Sequence, residues 1–152
     1  MPFMRWTHRL SVGVAILDDD HKRLIGIINQ LHYGITAGHK RDILQAILGQ
    51  LVNYTRVHFS REEDLFEQCN YPCALEHMLE HAGFIGRIAE LHARLKSEPA
   101  DLLNKELMNL LKKWLITHIQ VSDKKYEPCL KACSGIERSE ITVFPESSSP
   151  GR

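Results

Sequence analysis

From Asp42 to Cys69 a single helical face carries Leu44, Ile47, Leu48, Leu51, Tyr54, Thr55, His58, Glu62, Leu65, Phe66 and Cys69. Their three- and four-residue spacing describes one helix about 40 Å long, with one side that must be buried. His58 and Glu62 are set into that side, one turn apart, so two donors of different hardness point the same way. Such a pair is common on a solvated face. On an apolar stripe it demands partners, because an unpaired buried carboxylate is costly.

Three more segments show the same period. The first covers about 19 to 37, with Asp18 as its N-cap, Leu24, Ile25, Ile28, Leu31, His32 and Ile35 on its stripe, and Gly34, Thr36 and Gly38 closing it. After the Asn70-Tyr71-Pro72 breaker, a helix over about 74 to 95 aligns His77, His81, Phe84, Ile85, Ile88, Leu91 and Leu95. Beyond Ser97 to Pro99, a helix over about 100 to 127 aligns Leu103, Leu107, Leu110, Leu111, Trp114, Leu115, His118 and Val121, and Pro128 ends it. Short connections between amphipathic helices predict an all-α, up-down-up-down four-helix bundle over residues 1–135. An extended N-terminal arm, residues 1–17, is expected to pack on it, and residues 136–152, rich in Ser, Pro, Glu and Gly, are expected to be a disordered tail.

Lysine plus arginine equals aspartate plus glutamate at 19 each, so no general field exists for nucleic acid or an anionic membrane. No apolar run approaches the roughly 20 residues of a membrane span, and the N-terminus lacks a signal peptide's apolar core. A cytoplasmic protein is expected. Its cysteines form two pairs of i, i+4 spacing, Cys69/Cys73 and Cys129/Cys133, unlike the C-x-x-C of zinc ribbons. Free thiols are the expectation, with a redox-responsive disulfide or a second metal site as the alternative.

The histidines decide the chemistry. In such a bundle His21, His77 and His81 lie in the first turns of two helices that run one way. His58/Glu62 and His118/Asp123 lie toward the ends of the two that run the other way. All seven therefore meet at one end. His32 and His92 each follow one of them by eleven residues, which moves them about 16 Å along the axis, away from the set. His8 and His39 belong to the arm and a loop. Five imidazoles and two carboxylates are too many for one ion but suit two, with Glu62 and Asp123 between them. Iron, zinc and manganese all accept this donor mixture, although closed structural zinc sites take four ligands per ion. Two ferrous ions with two carboxylates and a hydroxide sum to about +1, whereas sites with four Glu neutralise their ions and favour oxidation chemistry. A histidine-rich set favours reversible dioxygen binding.

The chain is similar to the bacterial hemerythrins. The resemblance rests on Leu10-Ser11-Val12-Gly13-Val14, Asp18-x-x-His21, His58-Phe59-x-x-Glu62-Glu63, His77-x-x-x-His81, Trp114-Leu115-x-x-His118 and Asp123-x-x-Tyr126, and spans about residues 6 to 127. It implies two iron ions, one held by His77, His81 and His118 and the other by His21 and His58, bridged by Glu62, Asp123 and an oxo or hydroxo group. The ion with two histidines would carry the open position for dioxygen. By position and resemblance, Leu24, Phe59, Trp114, Leu115 and Ile119 would line the oxygen pocket, with Tyr126 behind Asp123 and Glu63 facing solvent. A non-enzymatic oxygen carrier, store or delivery protein is the leading expectation, with a protein receiver of the oxygen as a partner. The rivals are a peroxidase or nitric-oxide-handling enzyme and a sensor module acting through a partner.

Overall fold

The computed structural model describes residues 1–133, so the expected tail lies outside the described residues. A short 3-10 turn at His8–Leu10 precedes α1 (Ala15–Thr36), α2 (Arg41–Cys69), α3 (Ala74–Arg94) and α4 (Ala100–Thr117). A π-helical turn, His118–Asp123, then leads into α5 (Lys124–Lys131). Each long helix packs on the next and α4 returns to α1, which closes a four-helix bundle. Leu48, Leu111 and Ile88 are among the buried centre of its core.

Local chemistry explains where the helices stop. Asn70, in the left-handed region at φ 51°, follows α2, and Tyr71 N–H reaches back to the Phe66 carbonyl at 3.0 Å while Asn70 N–H reaches Glu67. The Tyr71 ring then packs on Phe66 at 5.0 Å, completing a Schellman closure with its apolar contact. Gly38, at φ 72°, ends α1 by the same device, with His39 N–H on the Gly34 carbonyl.

Two expectations for the chain ends are corrected. Asp18 does not cap α1, which begins at Ala15; its carboxylate instead accepts from Val12 N–H at 2.8 Å and Ser11 Oγ at 2.5 Å, fastening the arm to the helix. Pro128 does not end the fourth segment, because α5 runs to Lys131. The arm packs as expected, with Met4, Leu10, Val12 and Val14 buried and Asn29 bonding both backbone groups of Met4.

The π-helical turn positions the far end of the bundle. In an α-helix, residues five apart are rotated by about 140° from one another. The wider turn, closing i to i+5, brings such residues nearly onto one face. His118 and Asp123 are five apart, and both are buried on the inner side.

Candidate metal centre

His21 is supplied by the second turn of α1, His58 and Glu62 by α2, His77 and His81 by the start of α3, and His118 and Asp123 by the π-helical turn. All seven are at most 4% exposed. Their donor atoms form two groups that each lie within 4.8 Å: Glu62, His77, His81, His118 and Asp123, and His21, His58, Glu62 and Asp123. The two carboxylates belong to both.

Each carboxylate divides its oxygens between the groups. Glu62 turns Oε1 to His58 Nε2 at 2.8 Å and Oε2 to His81 and His77 at 3.2 and 3.3 Å. Asp123 turns Oδ2 to His21 at 3.2 Å and Oδ1 to His118 and His77 at 2.9 and 3.0 Å.

These contacts are not a hydrogen-bond network. His21 Nδ1, Glu62 Oε2, His77 Nε2, His81 Nε2, His118 Nε2 and both Asp123 oxygens are buried without a hydrogen-bond partner. Seven such atoms would cost on the order of 10 kcal/mol, comparable to the whole stability of a domain. A cation among the other six removes most of the cost; His21 Nδ1 lies on the far edge of its ring, whose Nε2 faces Asp123 and Glu62. Donors about 2.1 Å from an ion sit about 3.0 Å apart when six-coordinate and about 3.4 Å apart when tetrahedral. The separations above, from 2.8 to 3.3 Å, with 3.5 Å between His21 Nε2 and Glu62 Oε1, are of the size that donors around a common ion require.

A second layer of carboxylates orients the rings. His58 Nδ1 donates to Asp20 at 2.9 Å, His81 Nδ1 to Glu63 at 3.0 Å and His118 Nδ1 to Glu80 at 2.9 Å. In each case the carboxylate is the sequence neighbour of a donor on the adjacent helix: Asp20 beside His21, Glu63 beside Glu62, Glu80 beside His81. Fixing the outer nitrogen aims the inner one at the centre. Asp20 is itself buried and accepts from Tyr54 at 2.6 Å and Arg61 at 2.5 Å, and Glu80 accepts from Ser122 at 2.6 Å. Tyr126 donates its hydroxyl to Glu62 at 3.1 Å rather than to Asp123. Glu63 was expected in solvent and is instead 30% exposed, because the 100° step from Glu62 turns it toward α3.

Electrostatics follow from this burial. Desolvation works against charge on every group here, but Glu62 and Asp20 carry His58 up to about 10, and Asp123 with Glu62 carries His77 up to about 9. His58, with His21 and His77, holds Glu62 well below the usual carboxylate range against its burial, and His118 with His21 does the same for Asp123. Burial resists ionisation of Asp20 too, yet bonds from His58 and Tyr54 and the charge of Arg61 keep it low. Burial, then Asp123 and Glu62, holds the Tyr126 phenol protonated. Without a metal, protons on His58 and His77 thus balance the two buried carboxylates, and a cation would take their place.

Beside it lies a partly enclosed cavity, with about 10 Å³ open to the centre of a water-sized sphere, room for one small molecule. Leu24, Phe59, Trp114, Leu115 and Ile119 all line it, together with His21, His58, His118 and Asp123. Phe84, Ile28, Leu51, Thr55 and Leu111 complete the wall and were not anticipated, since nothing separates them in sequence from ordinary core. Phe59 stacks on His81 at 3.6 Å, and Trp114 stacks on Phe84 at 3.7 Å and on His118 at 4.2 Å.

The four cysteines gather at this end of the bundle, but not as free thiols throughout. Cys69 is bonded to Cys133, while Cys73 and Cys129 are free. The expectation of free thiols fails for one pair because α5 continues past Pro128 and carries Cys133 back to the end of α2.

The donor pattern is matched by comparison with known proteins. Residues 12–130 match the hemerythrin HHE cation binding domain. The chain is 33% identical to the bacteriohemerythrin of Stenotrophomonas maltophilia over 132 residues, covering 87% of this chain and 84% of that protein. It is 31% identical to the bacteriohemerythrin of Methylococcus capsulatus over 133 residues, 87% of this chain and all of that one. A crystal structure of wild-type hemerythrin superposes with a TM-score of 0.78 at 30% identity, covering 86% of this chain and 99% of that chain. A donor set able to hold metal, a four-helix bundle and these likenesses agree, and the chain belongs to the hemerythrin family.

Proposed function

We infer that this protein binds dioxygen reversibly at a non-haem centre of two iron ions, as a carrier, store or delivery protein. The observation that carries this reading is the division of Glu62 and Asp123 between two histidine groups, which is what bridging carboxylates require. His77, His81 and His118 would hold one ion with Glu62 Oε2 and Asp123 Oδ1, and His21 and His58 the other with Glu62 Oε1 and Asp123 Oδ2. The second group has one imidazole fewer, and both of its histidines line the cavity, so a small ligand has space there.

Bound iron supplies the reversible electron exchange with dioxygen that side chains lack. The chain supplies the surroundings. Leu24, Phe59, Trp114, Leu115 and Ile119 keep water and protons from the ligand, and Tyr126 and Asp20 hold Glu62 and His58 in place. The cavity wall offers no carboxyl or phenol apart from Asp123, and the Thr55 hydroxyl donates to the Leu51 carbonyl at 2.7 Å. Cleavage of an O–O bond needs a proton donor, so this wall favours binding over a peroxidase reaction.

Metal analysis and an absorption spectrum of aerobically purified protein, cycled through dithionite and air, test the reading. Two irons per chain and a charge-transfer band that comes and goes with oxygen are expected. Zinc in the site would replace the reading with a structural one, and peroxide turnover without a stable oxygenated form would replace it with an enzymatic one.

A further inference from the structure

Cys69 is the last residue of α2, and Cys129 and Cys133 lie four residues apart at the end of α5 and just beyond it. That spacing presents both sulfurs to the same strip of α2, one turn apart. Cys133 is bonded to Cys69, whereas Cys129 keeps a free thiol that donates to the Cys69 carbonyl at 3.6 Å. Cys69 therefore faces two cysteines of the C-terminal segment and can bond only one. All three are half-buried, within reach of a small reagent.

The geometry points to a thiol–disulfide exchange site in which Cys129 and Cys133 compete for Cys69 and an external dithiol sets the outcome. In the first step Cys129 gives up its proton, its sulfur attacks Cys69 Sγ, and the Cys69–Cys133 bond breaks. Cys133 leaves as a thiolate and takes up a proton. One S–S bond replaces another, so no electrons are gained or lost. In the second step a dithiol reductant attacks the Cys69–Cys129 bond and becomes a disulfide, delivering two electrons and two protons to Cys69 and Cys129.

The two steps release different things. The first frees Cys133, while α5 stays tied to α2. The second unties α5 itself. Tyr126, three residues before Cys129, reaches Glu62 from this helix, so the thiol state of the bundle end bears on a carboxylate shared by both histidine groups. The exchange does not depend on which ion those groups hold.

The full-length protein can be equilibrated with graded ratios of reduced and oxidised dithiothreitol, trapped with iodoacetamide and mapped by mass spectrometry. At mild ratios a form with a Cys69–Cys129 link and an alkylated Cys133 is expected. Cys133→Ser, treated with oxidised dithiothreitol, is expected to form the Cys69–Cys129 link, and Cys129→Ser to pass from the Cys69–Cys133 bond to the dithiol without an intermediate. Cys73→Ser should leave the pattern unchanged. Amide exchange over residues 124–131 should quicken about tenfold only on full reduction. Complete alkylation of Cys69 in oxidised Cys133→Ser, or simultaneous release of Cys69 and Cys133 in the unaltered chain, would overturn the proposal. Unchanged amide exchange on full reduction would overturn the link to α5.

Discussion

The outer nitrogen of His58 and the carboxylate of Asp20 lie 2.9 Å apart across two helices, and the same carboxylate is gripped by Tyr54 and Arg61. Three groups thus fix one ring. Replacing Asp20 with Asn keeps the shape but lets the amide offer either an oxygen or an N–H to His58. Loss of such an orienting carboxylate typically weakens metal binding about 10- to 100-fold. Competition with a chromophoric chelator would measure it, and an unchanged affinity would show that His58 is held by packing alone.

The apolar wall is open to a separate test. Leu115 and Trp114 line the cavity, and the indole lies flat on His118 at 4.2 Å. Leu115→Ala or Trp114→Ala opens a path for water and protons, so the oxygenated form should decay several-fold faster. Its lifetime is read from the fading charge-transfer band. An unaltered decay would remove these two side chains from that role.

Metal uptake should be strongly pH-dependent. In the metal-free protein His58 is raised to about 10 and His77 to about 9, so both hold protons at neutral pH. A raised histidine stabilises the fold fully below its unfolded value of about 6.5, and that contribution is lost as pH rises through 9 to 10. A metal needs both rings neutral, so loading must expel their protons. Affinity should climb with pH, with a log–log slope approaching about two, until the histidines are neutral. Calorimetry in buffers of different ionisation enthalpy would count the protons, and release of none would contradict this charge state.

Gly13 offers a prediction about the arm. It sits at φ 76°, and a Cβ there would collide with Lys131 Cε and meet Glu127 Oε1 at 2.8 Å. Gly13→Ala imposes left-handed strain of about 1 to 2 kcal/mol, and the Lys131–Glu127 ion pair must also move. For a chain of this size the melting temperature should fall by roughly 3 to 8 °C. A melt within a degree of the parent would mean that the arm shifts without strain.

The meeting of seven side chains at one end was legible because helical period fixes angle and rise together. His58, Glu62, His77 and His81 lie on stripes whose direction the apolar residues declare. Asp20, Glu63 and Glu80 were not, since each serves a ring on a different helix and reads as a surface acid. The signal was present all the same: a carboxylate next in sequence to a donor faces the neighbouring helix. The roles of Asp18 and Cys133 were hidden for another reason, because a contact with the arm or between helix ends has no period.

The π-helical turn makes the chain between His118 and Asp123 a matter of count as much as of kind. Gln120 and Val121 are exposed, so exchanging either for another residue should cost little. Winding the same residues as an ordinary helix would rotate Asp123, Tyr126 and Leu130 by roughly 90° relative to His118. A shared carboxylate, the hydroxyl on Glu62 and a core leucine would all leave their places at once. With one residue fewer an ordinary helix would set the same pair four apart, about 40° from one another, so in this stretch a wide turn and a shorter chain are two routes to one face.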